Sequence, residues 1–155
     1  MLYKYTYKIA IAIVLILALL LAGRAGRADA VVADMAELER ICVSGTSEDL
    51  RRALSDISAD VVFPSGNRPL HVVAEHASDP RMIEILLKNG ASLSEEGLEK
   101  LTPLMLAAAY NPNAKLTEAL LKAGASVNSA DRQGRTPLYF AAASNESSEV
   151  VAVLL

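Results

Sequence analysis

Residues 120–138 read LLKAGASVNSADRQGRTPL, from Leu120-Leu121-Lys122 through Gly124-Ala125 to Asp131, Gly134 and Thr136-Pro137-Leu138. One helix ends in this stretch and another begins. Glycine at 124 accepts the left-handed conformation that closes a helix. Thr136 offers a hydroxyl to cap the free N–H groups of a new helix, and Pro137 fits the first turn, where its missing N–H is not needed.

Moving outward in steps of 34 residues finds both signals again. Arg68-Pro69-Leu70-His71 and Thr102-Pro103-Leu104-Met105 align with Thr136-Pro137-Leu138-Tyr139. Leu86-Leu87-Lys88-Asn89-Gly90-Ala91-Ser92 aligns with Leu120 to Ser126, and Leu154-Leu155 falls at the next position. Between the signals, Leu70/Val73/Ala74, Leu104/Ala107/Ala108 and Leu138/Ala141/Ala142 have the i, i+3, i+4 spacing of one helix face. A second helix carries the same spacing at Met82/Ile85/Leu86, Leu116/Ala119/Leu120 and Val150/Val153/Leu154, after the polar turns Ser78-Asp79-Pro80 and Asn111-Pro112-Asn113. Each unit is thus two antiparallel helices and an extended connection, with an apolar surface too small to fold alone. Stacking buries that surface, so the expected fold is an all-α solenoid of helix-turn-helix units joined by hairpin or loop connections.

The TPL helix start, the paired alanines, the LL-K-x-G-A-S-V-N ending and the D-x-x-G-x-T lead-in resemble ankyrin repeats, most closely from Asp131 to Leu138. The common unit of that family is shorter by one residue, and the extra one falls between the two helices, where a loop tolerates it. Under this resemblance the chain divides into a capping helix pair over 31–66, repeats over 67–100 and 101–134, and an incomplete repeat over 135–155. The cap is read from Met35 to Val43 and Ser47 to Ser55, with Ser58-Ala59-Asp60-Val61 as a weak echo of the repeat ending. Two departures carry expectations. Arg68 stands where a capping threonine belongs, which should fray that helix start by roughly 1 kcal/mol. Phe63 to Asn67 and Gly97 to Leu101 lack the aspartate and most of the glycine pattern of the third tip, so both are expected to be irregular loops. The chain stops at Leu155 inside a second helix with no polar closing element, as expected of a fragment of a longer protein.

Residues 1–30 read as a targeting segment. Lys4 and Lys8 precede an unbroken apolar run from Ile9 to Ala22, and Ala28-Asp29-Ala30 offers the small residues a signal peptidase accommodates, so cleavage is expected after Ala30. About 15 apolar residues rise about 22 Å as a helix, short of a hydrocarbon core of about 30 Å. Tyr3, Tyr5 and Tyr7 would extend the run as an interfacial belt, which keeps open the alternative of a membrane anchor over 9–23. The expected location is periplasmic or secreted, with membrane contact only through this segment if it is retained. Without residues 1–30 the chain has 11 basic and 17 acidic residues, a net charge of −6. An acidic body with no basic cluster speaks against nucleic acid as a partner. Cys42 is the single cysteine, so no intramolecular disulfide forms.

The sequence offers no catalytic constellation and no cofactor or metal site. His71 and His76 are five apart on a predicted helix, so their side chains diverge and do not share a metal. His71 stands at the histidine of the family's T-P-L-H motif, for which the resemblance implies a structural hydrogen bond. Cys42, on an apolar face with Leu38 and Ile41, reads as a buried thiol. Glu95, Glu96 and Glu99 read as a solvated connection or, alternatively, a tip that meets a basic partner. No phosphate-binding glycine loop and no G-x-S-x-G occurs.

What the resemblance implies is protein binding along the hairpin tips and the exposed side of the first helices. Carried over by alignment, the candidate contacts are Glu75, His76, Ala109, Tyr110, Ala143 and Ser144, with Arg132, Gln133 and Arg135 at the best-formed tip. Tyr110 and Arg132 are the expected anchors, since Tyr and Arg dominate interface energetics. The expected function is a non-catalytic binding module for a protein partner. Two alternatives remain, a recognition part of a longer enzyme or toxin continuing past Leu155 and a membrane-tethered scaffold.

Overall fold

The structure, a computed structural model, describes residues 28–155. The apolar run and the anchor reading of 9–23 lie outside the described residues. Among the described residues there are eight α-helices and no strand. They are α1 (Ala28–Ser44), α2 (Ser47–Ala53), α3 (Pro69–His76), α4 (Arg81–Lys88), α5 (Pro103–Tyr110), α6 (Ala114–Lys122), α7 (Pro137–Ser144) and α8 (Ser148–Leu154), with a 3-10 turn at Leu98–Lys100. None of them is long and apolar enough to cross a membrane. The first turn of α1 contains Ala28-Asp29-Ala30.

The helices alternate between two layers. α1, α3, α5 and α7 pack side by side in one, and α2, α4, α6 and α8 in the other, each helix also touching its partner in the same unit. The core runs unbroken along the stack from Leu38, Ile41 and Cys42 through Leu70, Val73, Met82 and Leu86 to Leu104, Ala107, Leu116 and Leu120. Alanines at 74, 107, 108 and 109 bring the first-layer helices close together, and all four are buried.

The local signals act as the sequence indicates. Thr102 and Thr136 cap α5 and α7, their hydroxyls accepting from Met105 N (3.3 Å) and Tyr139 N (3.4 Å). Thr46 and Asp49 form a reciprocal capping box on α2. Gly90 and Gly124 take φ of 95° and 100° just past α4 and α6, where Ala91 N and Ala125 N bond back to Leu86 O and Leu120 O. Arg68 makes no cap, as expected, yet it is not idle. Its guanidinium donates to Asp60 O (2.8 Å), pairs with Asp60 Oδ1 (2.9 Å) and reaches Glu95 Oε2 (3.3 Å), tying successive connections together.

Two expectations are corrected. The tips expected to be irregular close with the same two main-chain bonds as the third. Phe63 N donates to Asn67 O, Gly97 N to Leu101 O and Asp131 N to Arg135 O, while Gly66 N, Lys100 N and Gly134 N return to Phe63 O, Gly97 O and Asp131 O. Main-chain bonding closes the turn whichever side chains line it; what varies is strain. The left-handed position is glycine in the outer tips (Gly66 φ 82°, Gly134 φ 77°), but in the middle tip it is Lys100 at φ 65°, preceded by Glu99 at φ 60°. The second correction concerns the last unit. Leu138 is only half-buried and Ala142 is exposed, although their counterparts Leu104 and Ala108 are fully buried. Helix periodicity marks a face, and only a neighbour buries it.

Candidate interaction surface

Three consecutive positions at the end of each first-layer helix show how this fold separates frame from surface. The third of them is Ala77, Asn111 and Asn145 in successive units. Asn111 is 3% exposed, and its Nδ2 donates to Ala74 O (3.1 Å) and Ala77 O (2.9 Å) of the preceding unit. Asn145 repeats the contact one unit on, donating to Ala108 O and Asn111 O, both at 2.9 Å. Each amide oxygen also accepts from the turn of its own unit, at Asn113 N and Ser147 N. These asparagines therefore satisfy the open carbonyls at a neighbouring helix end. The sequence reading missed them, although their spacing of 34 was visible.

The position just before this latch is His76, Tyr110 and Ser144, and it is exposed in every unit. Tyr110 is 59% exposed, so its ring stands largely in solvent. With neighbouring helices about 8–10 Å apart, the three side chains form a ladder about 20 Å long. One residue earlier the register holds Glu75, Ala109 and Ala143. Glu75 is half-buried and lies 3.4 Å from His76. Ala143 is exposed. Ala109 is 2% exposed, so this candidate is corrected: α5 is covered by α3 and α7, and the Ala109 side chain is spent on that packing.

At the third tip, Arg132 and Gln133 are exposed, and Arg132 forms no ion pair among the described residues. Arg135 is the second candidate to be corrected. Its Nε donates to Asp131 Oδ2 (2.7 Å), while Asp131 Oδ1 accepts from Gln133 N (2.9 Å) and Arg135 N (2.8 Å). The Asp131 carboxylate has no solvent exposure. Burial pushes its pKa up, but the Arg135 guanidinium and the two backbone N–H groups outweigh that and hold it below the usual carboxylate range. The guanidinium lies 4.8 Å from the Phe140 ring and 6.0 Å from the Tyr139 ring, which meet edge to face. Arg135 is thus a brace that holds the tip onto α7.

The remaining chemistry-bearing side chains serve the stack. His71 has no exposure, and its Nε2 lies 3.2 Å from Leu101 O, so the ring proton sits on Nε2 and Nδ1 has no partner. Burial drives its pKa down to about 4, which leaves the ring neutral. Burial likewise pushes the Cys42 thiol up to about 12, far from a thiolate. Of the acidic connection, Glu95 pairs with Arg68 and Glu96 with Lys100. Among the described residues, no group of His, Cys, Asp and Glu is arranged to hold a metal ion.

A family model described as ankyrin repeats (3 copies) matches residues 70–155. No curated protein matches the chain.

Proposed function

We propose that this chain, which belongs to the ankyrin-repeat family, is an exported, non-catalytic module that holds another protein along its His76, Tyr110 and Ser144 ladder. Ankyrin repeats are typically protein-protein interaction modules and usually non-catalytic, and the family match covers the units that carry this ladder. The observation that supports the ladder most directly is the contrast between adjacent register positions. The latch position keeps asparagine in two successive units and is turned inward, whereas the position beside it is exposed in all three and carries a different residue each time. A repeated frame with an unrepeated edge binds partners without disturbing its own core. Tyr110 is the central anchor of this reading, a large ring with a polar tip. Arg132 and Gln133 extend the surface at the third tip. The acidic balance of the chain favours a protein over a nucleic acid as the ligand.

Export rests on the leader. Lys4 and Lys8, the apolar run from Ile9 to Ala22 and the Ala28-Asp29-Ala30 site together have the form of a cleaved signal peptide. The partner then meets the module in the periplasm or outside the cell.

Two measurements test the two halves. Intact mass with fractionation of the full chain expressed in a Gram-negative host should give a soluble species beginning at Val31; an uncleaved species in the membrane fraction would make the protein a tethered scaffold instead. A photo-crosslinking amino acid at 110 should give one dominant protein adduct that weakens in an Arg132→Ala background and is absent when the probe stands at Glu118 on the second-layer helices. Equal adducts at 110 and 118 would sink the ladder as the binding surface.

A further inference from the structure

Residues 88–91 read Lys88-Asn89-Gly90-Ala91, and of the six asparagines in the chain Asn89 is the only one followed by glycine. That step carries its own chemistry. A main-chain nitrogen can attack the side-chain carboxamide of an asparagine just before it, and glycine, with no Cβ, leaves its nitrogen the least shielded. Both residues are exposed, and the space where a Cβ on Gly90 would stand is empty to 4 Å. The same helix end one unit on reads Ala123-Gly124, with the glycine again left-handed (φ 95° at Gly90, 100° at Gly124) and no carboxamide beside it.

The folded chain holds the two reacting groups apart. Asn89 closes α4, and its Nδ2 donates to Ile85 O (2.8 Å). Gly90 N donates to Leu87 O (3.2 Å), and Ala91 N completes the turn on Leu86 O (3.0 Å). Ring closure requires Gly90 N to lie beside the Asn89 Cβ about the Cα–C bond, whereas Asn89 ψ is 15°, which turns that nitrogen well away. Attack therefore requires that the end of α4 open first and give up these bonds.

We infer that Asn89 is a self-modification site guarded by the fold, which converts to aspartate and isoaspartate when the end of α4 opens. Gly90 N gives up its proton and attacks Asn89 Cγ, the Cγ–Nδ2 bond breaks, and Nδ2 leaves with that proton as ammonia. Water then adds to either carbonyl of the succinimide ring and opens it, giving aspartate or a main chain rerouted through the side chain. Neither product restores the helix end. A carboxylate does not donate to Ile85 O and meets the negative end of the helix. The isoaspartyl main chain is also one carbon longer, which displaces the Gly90 and Ala91 bonds. Conversion runs one way, so its extent records the time that α4 has spent open, and it loosens the connection that leads to the middle tip. The inference concerns the second layer and stands whether or not the ladder binds.

The test is peptide mapping by mass spectrometry of the full chain aged at mildly alkaline pH, with and without denaturing urea, following the tryptic peptide over 89–100. In urea Asn89 is expected to convert fastest of the six asparagines, with the two products separated by chromatography. In native buffer its conversion should be slower by about tenfold or more, set by the fraction of time the helix end is open. Conversion in urea no faster than at Asn128, which precedes a serine, would overturn the site. Equal rates with and without urea would overturn the guard. Asn89→Ala copies the end of α6 and supplies a reference that keeps the fold. Asn89→Asp should have a lower urea midpoint than Asn89→Ala, and an equal or higher midpoint would overturn the loosening of α4.

Discussion

The middle and last units have nearly the same sequence pattern and differ in what lies on either side of them. In the middle unit every residue of α5 from Pro103 to Ala109 is buried, because α3 and α7 cover both flanks. In the last unit α7 has, among the described residues, a first-layer neighbour on one side only, and buries Pro137, Phe140 and Ala141. Burial in a stack is therefore a property of position in the array, and equal side chains at equal register positions should carry unequal energies.

The sharpest form of that comparison is a pair of identical substitutions. Leu104→Ala should cost about 4 kcal/mol and Leu138→Ala about 2 kcal/mol, since the first leaves a closed cavity and the second a site already open to water. Urea unfolding of both variants decides it, and equal costs would mean that the last face is covered in solution.

The next largest effect sets His71 against Met105, which fills the same register position. With a folded pKa of about 4 against an ordinary 6.5, the folded chain refuses a proton that the unfolded chain accepts. Stability is full above pH 6.5 and falls as the pH drops toward 4, by about 3 kcal/mol in total. His71→Met should flatten that part of the pH profile; an unchanged slope would assign the acid sensitivity elsewhere.

The two latches form a third pair. Asn111→Ala should cost about 2 to 3 kcal/mol, because it strands buried carbonyls, and Asn145→Ala about 1 kcal/mol, because water reaches the half-buried site. Thermal melts of the two variants test the ratio. Smallest is a gain: Lys100→Gly relieves a left-handed non-glycine residue in the middle tip and should add about 0.5 kcal/mol. No gain in the urea midpoint would show that the strain is absorbed locally.

The parts of the fold that were legible from sequence are those written in short-range chemistry. Thr-Pro at 102 and 136, glycine at 90 and 124 and the i, i+3, i+4 apolar spacing each fix a local conformation, and three repetitions fix the register. What lay beyond reading depends on partners distant in sequence. The middle tip lacks the Asp131 pattern yet closes with the same bonds, because the closure is main-chain. Arg135 resembled a free contact residue, and only the folded tip shows Asp131 and Phe140 claiming it. Ala109 sits one residue from exposed Tyr110, and its burial is decided by α7. The asparagine latch was readable in principle, but two asparagines in polar turns carry no mark of the carbonyls they serve.

The latch also sets the order of events when the protein comes apart. Each asparagine is rooted in one turn and completes the helix end of the unit before it, so no helix end in the interior is finished until its successor has folded. Detaching α7 and α8 would free the carbonyls of Ala108 and Asn111 that Asn145 serves, and detaching α5 and α6 those of Ala74 and Ala77 that Asn111 serves. In hydrogen exchange, Asn111→Ala and Asn145→Ala should each weaken amide protection at the helix end of the unit before the altered residue, a direction imposed on a chain of near-equal parts.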